Sequence, residues 1–280
     1  MNLQNIINEI ETVDPEFHER ISPRRDAIKS MTGFGKKLAL GALPFAFGSL
    51  FTKAYGQAQP TAINDILNFA LTLEYLESEF YKKGVGTPGL IANADIAGFT
   101  VIRDHEVAHV AVLRQTIMQL GGTPVSLTAA NFDYTAGNGS MNGPYATVFS
   151  NYDTFLAVSQ AFEDTGVRAY KGQAGNLISN NDVLTAALQI HSVEARHASY
   201  VRHLRQARGV TANKPWITGN NAGGIPGVEA VYAGEENTSQ AGVQITGING
   251  TSISANAASE AFDEPLTQAQ VTSIVDPFIV

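Results

Sequence analysis

Between residues 61 and 208 apolar side chains recur at spacings of three and four, in four runs separated by Gly- and Asn-rich breaks. The first run, TAINDILNFALTLEYLESEFYKKG, carries Ile63, Ile66, Leu67, Ala70 and Leu73 on one stripe and ends in Lys-Lys-Gly. The second opens at Asn93-Ala94-Asp95 and stops at Gly121-Gly122. The third runs from Tyr152 to Gly175, and the fourth from Ser179-Asn180-Asn181 to Gly209. Polar caps before a period of 3.6 and glycine after it predict four long amphipathic helices. Such helices bury their stripes by packing together, so the predicted fold is all-α, a four-helix bundle. The joints between helices one and two and between three and four are short, which makes each pair antiparallel. A long Gly/Asn/Ser/Thr-rich segment, TPVSLTAANFDYTAGNGSMNGP, joins helices two and three and has the length to cross the bundle.

Outside these runs the pattern changes twice. From 210 to 280 the chain is Gly- and Asn-rich with almost no helical period, until Thr267 offers a cap for a short helix ending before Pro277. This segment reads as an irregular tail wrapped over the bundle. The glycines at 223–227 have no strand before them and no helix after them, so they do not form a phosphate loop. Before the first helix, Arg24-Arg25-Asp26-Ala27-Ile28-Lys29 precedes Lys36-Lys37 and an apolar run of about 14 residues, too short to span a bilayer at about 20 residues. The segment resembles a twin-arginine (Tat) export signal, with Ala27 where that signal usually has Phe. It implies cleavage near 56–58, passage through the Tat translocon and a periplasmic or extracellular destination. The predicted organisation is therefore leader 1–58, bundle 59–209 and tail 210–280.

Composition narrows the chemistry. A hydrophobic content of 44% supports a sizeable core, and a formal charge of −8 argues against nucleic acid as a partner. With no cysteine, thiolate-held metals, disulfides and a cysteine nucleophile are excluded. A metal must be held by carboxylate and imidazole, which suits iron, manganese or zinc. No spacing supports Ser-His-Asp hydrolysis.

The helices then reveal a repeat. Shifting helix one by 89 residues pairs Glu74 with Glu163, Tyr81 with Tyr170 and Lys82 with Lys171; shifting helix two by 88 pairs Glu106 with Glu194, His109 with His197 and Arg114 with Arg202. Glu-x-x-His therefore occurs twice in register, and residues i and i+3 lie about 60° apart around a helix. Glu74 falls on the inward stripe Ala70, Glu74, Glu77, Tyr81. Ionised carboxylates are not buried without compensation, so four inward glutamates call for cations, and two divalent ions balance them in formal charge. Tyr81 and Tyr170, two turns along from Glu74 and Glu163, are placed to donate hydrogen bonds to carboxylates across the bundle. Glu77 also faces inward, but its repeat partner is Gly166, so symmetry gives the ligand role to Glu74 and leaves Glu77 in support. His191 shares the broad face of Glu194 and is also given a supporting role. His105 and His203 have no histidine at the repeat position and read as ordinary helix residues. The competing reading is a metal-free bundle whose glutamates pair with Arg103, Arg114, Arg168 and Arg202.

One Glu from each of two helices and Glu-x-x-His from each of the other two is the ligand pattern of dinuclear carboxylate bundles. Over 61–208 the chain resembles the ferritin-like superfamily, and within it the exported, desiccation-related branch. The resemblance implies Glu74, Glu106, His109, Glu163, Glu194 and His197 as ligands, with Glu106 and Glu194 bridging two metal ions, iron first and manganese as the alternative. It implies oxygen or peroxide as a partner and ferrous-iron oxidation in stress protection. Two other functions stay open: a peroxide-dismutating dimanganese enzyme, although manganese catalases generally lack the second full Glu-x-x-His, and a non-enzymatic envelope protein that keeps the fold. A cage-type store conflicts with the long tail, and a smaller homo-oligomer remains open.

Overall fold

The computed structural model describes residues 60–280, with side chains from residue 63. The leader, its arginine pair and its cleavage region lie outside the described residues. Four long helices form the bundle: α1 (Pro60–Gly86), α2 (Ile96–Gln119), α3 (Tyr152–Ala174) and α4 (Asn181–Ala207). α1 packs along α2 and α3 along α4, and the two hairpins meet through α1 against α3 and α2 against α4. The caps explain the boundaries of the second hairpin. Asn151 accepts from the Thr154 amide at the start of α3, and Asn180 from the Val183 amide at the start of α4. Asp95, the residue before α2, makes no such bond and instead accepts from the Tyr152 hydroxyl at 2.8 Å.

The core is continuous. Phe80 lies at its aromatic centre, stacked on Phe155 at 4.8 Å and edge-on to Tyr81 and Phe162, each at 5.2 Å. These rings and the aliphatic side chains along α1 to α4 supply most of the driving force for assembly, since each fully buried large apolar residue contributes about 1.5–3 kcal/mol. No helix among the described residues is long and apolar enough to cross a membrane.

The segment between α2 and α3 spans residues 120–151, and it is anchored by the end of the chain. Phe132 bridges antiparallel to Ile279, and the Asp133 amide donates to the Phe278 carbonyl at 2.8 Å. The Asp133 carboxylate is itself a hub: it accepts from the Thr135 amide and hydroxyl and from the amides of Gly139 and Met141. One buried acid thus replaces secondary structure as the organiser of this crossover.

The tail is better ordered than its composition suggests. It contains α5 (Glu229–Tyr232), a two-stranded hairpin of β1 (Ser239–Gln240) and β2 (Val243–Gln244), α6 (Ala255–Glu260) and α7 (Gln268–Val275). Thr267 caps α7 in a reciprocal capping box with Gln270. Hydrogen bonds seat the tail on α3. Arg168, 1% exposed, donates from Nε to the Glu264 carbonyl at 2.7 Å, from Nη2 to the Ala233 carbonyl at 2.8 Å and from Nη1 to the Val231 carbonyl. Its Nε also lies 2.7 Å from the buried Glu235 carboxylate. Beside it, Asp164 accepts from Arg202 at 3.1 Å and from the Tyr232 hydroxyl at 2.8 Å, while Arg205 bridges Gln160 and the Gly223 carbonyl. At Gly172 a Cβ would stand 1.9 Å from the Leu266 carbonyl oxygen, so only glycine lets the tail approach here.

Candidate metal centre

Glu74 from α1, Glu106 and His109 from α2, Glu163 from α3, and Glu194 and His197 from α4 meet in the middle of the bundle, all buried. Helical spacing does the work: i and i+3 put Glu106 with His109 and Glu194 with His197 on inward faces, and the antiparallel hairpins bring those faces together. Two overlapping groups result. Ligand-type atoms of Glu74, Glu106, His109 and Glu194 lie within 4.8 Å of one another, as do those of Glu106, Glu163, Glu194 and His197. The groups share Glu106 and Glu194. Geometrically this is a pair of adjacent sites with two carboxylates common to both.

His109 Nδ1 lies 3.1 Å from Glu74 Oε2, 3.1 Å from Glu106 Oε2 and 3.2 Å from Glu194 Oε1. His197 Nδ1 lies 2.9 Å from Glu106 Oε1 and 3.3 Å from Glu163 Oε2. The tyrosines cross between hairpins: the Tyr81 hydroxyl donates to Glu163 at 2.5 Å, and the Tyr170 hydroxyl donates to Glu74. Each phenol thereby fixes one oxygen of a carboxylate whose other oxygen faces the cluster.

The protonation balance follows from crowding. Burial, only partly offset by His109, raises Glu74 from 4.5 to about 7. Burial and the neighbouring carboxylates push Glu77 and Glu194 well above the ordinary range. Burial opposes ionisation of Glu106 too, but the two imidazoles beside it win and hold it below its ordinary value. For both histidines burial disfavours the charge and the surrounding carboxylates reverse that, raising His109 strongly and His197 to about 11. Without a cation, then, the cluster neutralises itself with protons and imidazolium ions.

The donor set fits a metal pair. Glu106 Oε1, Glu163 Oε2, both Glu194 oxygens and His197 Nδ1 are buried and make no aligned hydrogen bond, despite close approach. Short distances without hydrogen-bond direction are what atoms aimed at a common centre produce. Nor do arginines compensate the carboxylates. Arg103 pairs with Asp104, Arg114 donates to the Tyr75 hydroxyl and the Val125 carbonyl, Arg168 pairs with Glu235 and Arg202 with Asp164. The competing sequence reading needed those four arginines at the cluster, and all four have partners elsewhere.

Three supporting positions differ from their sequence reading or sharpen it. Glu77 is 3% exposed and faces the cluster. A Cβ on Gly166 would lie 3.2 Å from Glu194 Oε2 and 3.3 Å from Glu77 Oε1, so the missing side chain at Gly166 makes the space that the fifth carboxylate uses. His191 is a correction: its Nδ1 bonds the Val167 carbonyl at 2.9 Å and its charged neighbours are Asp263 and Lys171, so it supports the α3–tail side rather than the cluster. His105, read as an ordinary helix residue, instead touches the site, with its Nδ1 2.9 Å from His197 Nε2. Its signal in the sequence is its i, i+4 spacing from His109 on α2, a signal independent of the repeat.

No curated protein in the comparison matches the chain. The family model described as the ferritin-like domain matches residues 63–207, more than half of the 280, and those bounds take in α2, α3 and α4 whole, nearly all of α1 and every residue of the cluster. On that match, and with a helical bundle of the matching kind, the chain belongs to the ferritin-like family.

Proposed function

We propose that the buried cluster is a dinuclear metal centre and that the protein is an exported oxidoreductase, which oxidises ferrous iron with dioxygen or peroxide to protect the cell envelope from oxidative stress. The observation that carries this reading is the set of buried, unaligned Glu and His atoms converging while Arg103, Arg114, Arg168 and Arg202 pair elsewhere. Glu74 and His109 would hold one ion, Glu163 and His197 the other, and Glu106 and Glu194 would be common to both. When bound, iron or manganese supplies a reversible change between the +2 and +3 states and open positions for oxygen or peroxide. The chain's own part is orientation and charge. Tyr81 and Tyr170 hold the outer carboxylates, the apolar bundle excludes bulk water, and the imidazoles give up Nδ1 protons as cations enter. Export and a place in the desiccation-related branch rest on the leader sequence and on the Gly/Asn-rich tail.

The test begins with metal analysis of the full chain after supplementation with iron or manganese. About two ions per chain are expected, and less than about 0.2 would sink the reading, since a built site of this donor set binds its metal with folding-scale free energy. The double variant Glu106→Ala/His109→Ala should lose the metal and keep its helical circular dichroism. Ferrous oxidation and peroxide disproportionation, assayed side by side, then separate iron chemistry from a manganese-dependent alternative.

A further inference from the structure

We propose that His105 is a positioning residue for one half of the centre: it accepts the Nε2–H of His197 and so holds His197 Nδ1 on Glu106 and Glu163. The proposal rests on the dinuclear reading above. The two imidazole planes lie 18° apart with centres 5.2 Å apart, while the nitrogens are 2.9 Å apart. Near-parallel rings at that separation are end to end rather than face to face, because a 2.9 Å bond plus one ring radius at each end spans the distance between centres. The contact is therefore an in-plane hydrogen bond, the strongest geometry available to two imidazoles.

Chemistry then fixes its direction. To bind a cation through Nδ1, His197 keeps its proton on Nε2, and that proton needs an acceptor. His105 Nδ1 is the acceptor in contact. His105 and His109 are i and i+4 on α2, so this one helix supplies a ligand-type imidazole to its own half and a supporting imidazole to the half built on α4. The support is one-sided. The residue 88 positions after His105 is Val193, which offers no acceptor to His109. The two sites are thus unequal, and the His197 side alone is tied to a ring at the solvent edge of the bundle.

The experiment uses the full chain with zinc as a diamagnetic probe. In zinc-loaded wild type, long-range ¹H–¹⁵N spectra should show His197 protonated on Nε2. His105→Ala should weaken one of two zinc-binding steps by about 10- to 100-fold and leave the other in place, and His105→Gln, whose amide oxygen can accept the same proton, should recover most of that loss. Equal weakening of both steps, weakening of neither, no recovery in His105→Gln, or a His197 proton on Nδ1 in the zinc-loaded protein would each overturn the proposal. A wild type that takes up no zinc defeats the dinuclear reading instead. In that case the metal-free spectra still decide the placement of His105, because a hydrogen-bonded Nε2–H of His197 must be present in wild type and lost in His105→Ala.

Discussion

The two hairpins carry the same chemistry on different supports. At repeat-equivalent positions, Arg114 Nη1 donates to the Tyr75 hydroxyl at 2.7 Å and Arg202 Nη1 donates to Asp164 at 3.1 Å. In the first pair Tyr75 is buried and Arg114 is partly exposed beside the crossover segment. The second is buried under the tail, with Arg202 1% exposed. The same contrast runs along whole helices: α2 buries a single stripe, whereas α3 is buried almost continuously from Phe155 to Tyr170. Duplication explains what the halves share, and the tail explains how they diverged. Where the tail covers it, α3 carries a carboxylate held by its arginine, and α1 carries a neutral phenol at the equivalent position.

Ways to break that comparison start with the arginines. Arg202→Ala strands the Asp164 carboxylate, which burial already raises above its ordinary value, and should cost about 3–5 kcal/mol in urea unfolding. Arg114→Ala removes a part-buried guanidinium from two neutral acceptors, strands no charge, and should cost less, about 1.5 kcal/mol. Equal costs would dissolve the distinction between a sealed and an open hairpin.

The next contrast is Gly166 against Glu77. Gly166→Ala improves helix propensity yet crowds two carboxylates, so it should preserve or raise the thermal midpoint while weakening metal binding about 10-fold or more. Adding Glu77→Ala to it should restore part of that affinity. Loss of affinity without such coupling would mean the crowding is not the cause.

The response to pH separates the metal-free and loaded forms. Glu74 and His197 bind protons more tightly folded than unfolded, so their contribution to metal-free stability is present at low pH and is lost as pH rises through about 7 for Glu74 and about 11 for His197. Between pH 5 and 8 the metal-free thermal midpoint should fall. Metal affinity should rise over the same range, by about tenfold per pH unit for each proton displaced, because cations replace those protons. Titration calorimetry in buffers of different ionisation enthalpy counts the protons released.

The smallest effect concerns the caps. Asn180→Ala should cost about 1 kcal/mol through the lost bond to the Val183 amide. Asp95→Ala, which removes no cap from α2, should cost less in the same thermal scan.

How much of this was legible beforehand varies by element. The four helices and the crossover were, because apolar period, Asn caps and terminal glycines agree with the packed structure. The meeting of Glu74, Glu106, His109, Glu163, Glu194 and His197 followed from register, since a duplicated hairpin brings equivalent faces together. What register cannot show is contact between unlike positions. His105 has no histidine counterpart, Gly166 contributes by lacking a side chain, and His191 turns toward α3 because Val167 offers a carbonyl there. The tail was the least legible part. Its order comes from Arg168, Arg205 and Tyr232 reaching partners 18 to 68 residues away, and no local period records such pairings.

The row Gln160, Asp164, Arg168 on α3 bears on how the chain folds. These residues stand one turn apart and are buried by a segment synthesised after the bundle is complete. Until that segment docks, the row they form is open to water, and its three side chains are polar or charged. Along this row an uncovered α3 keeps its polar groups hydrated, while Phe162 beside it depends on Phe278 of the tail for its cover. The last step of assembly therefore joins two kinds of contact on one helix, a hydrogen-bonded row and the apolar area closed by Val231, Leu266 and Phe278.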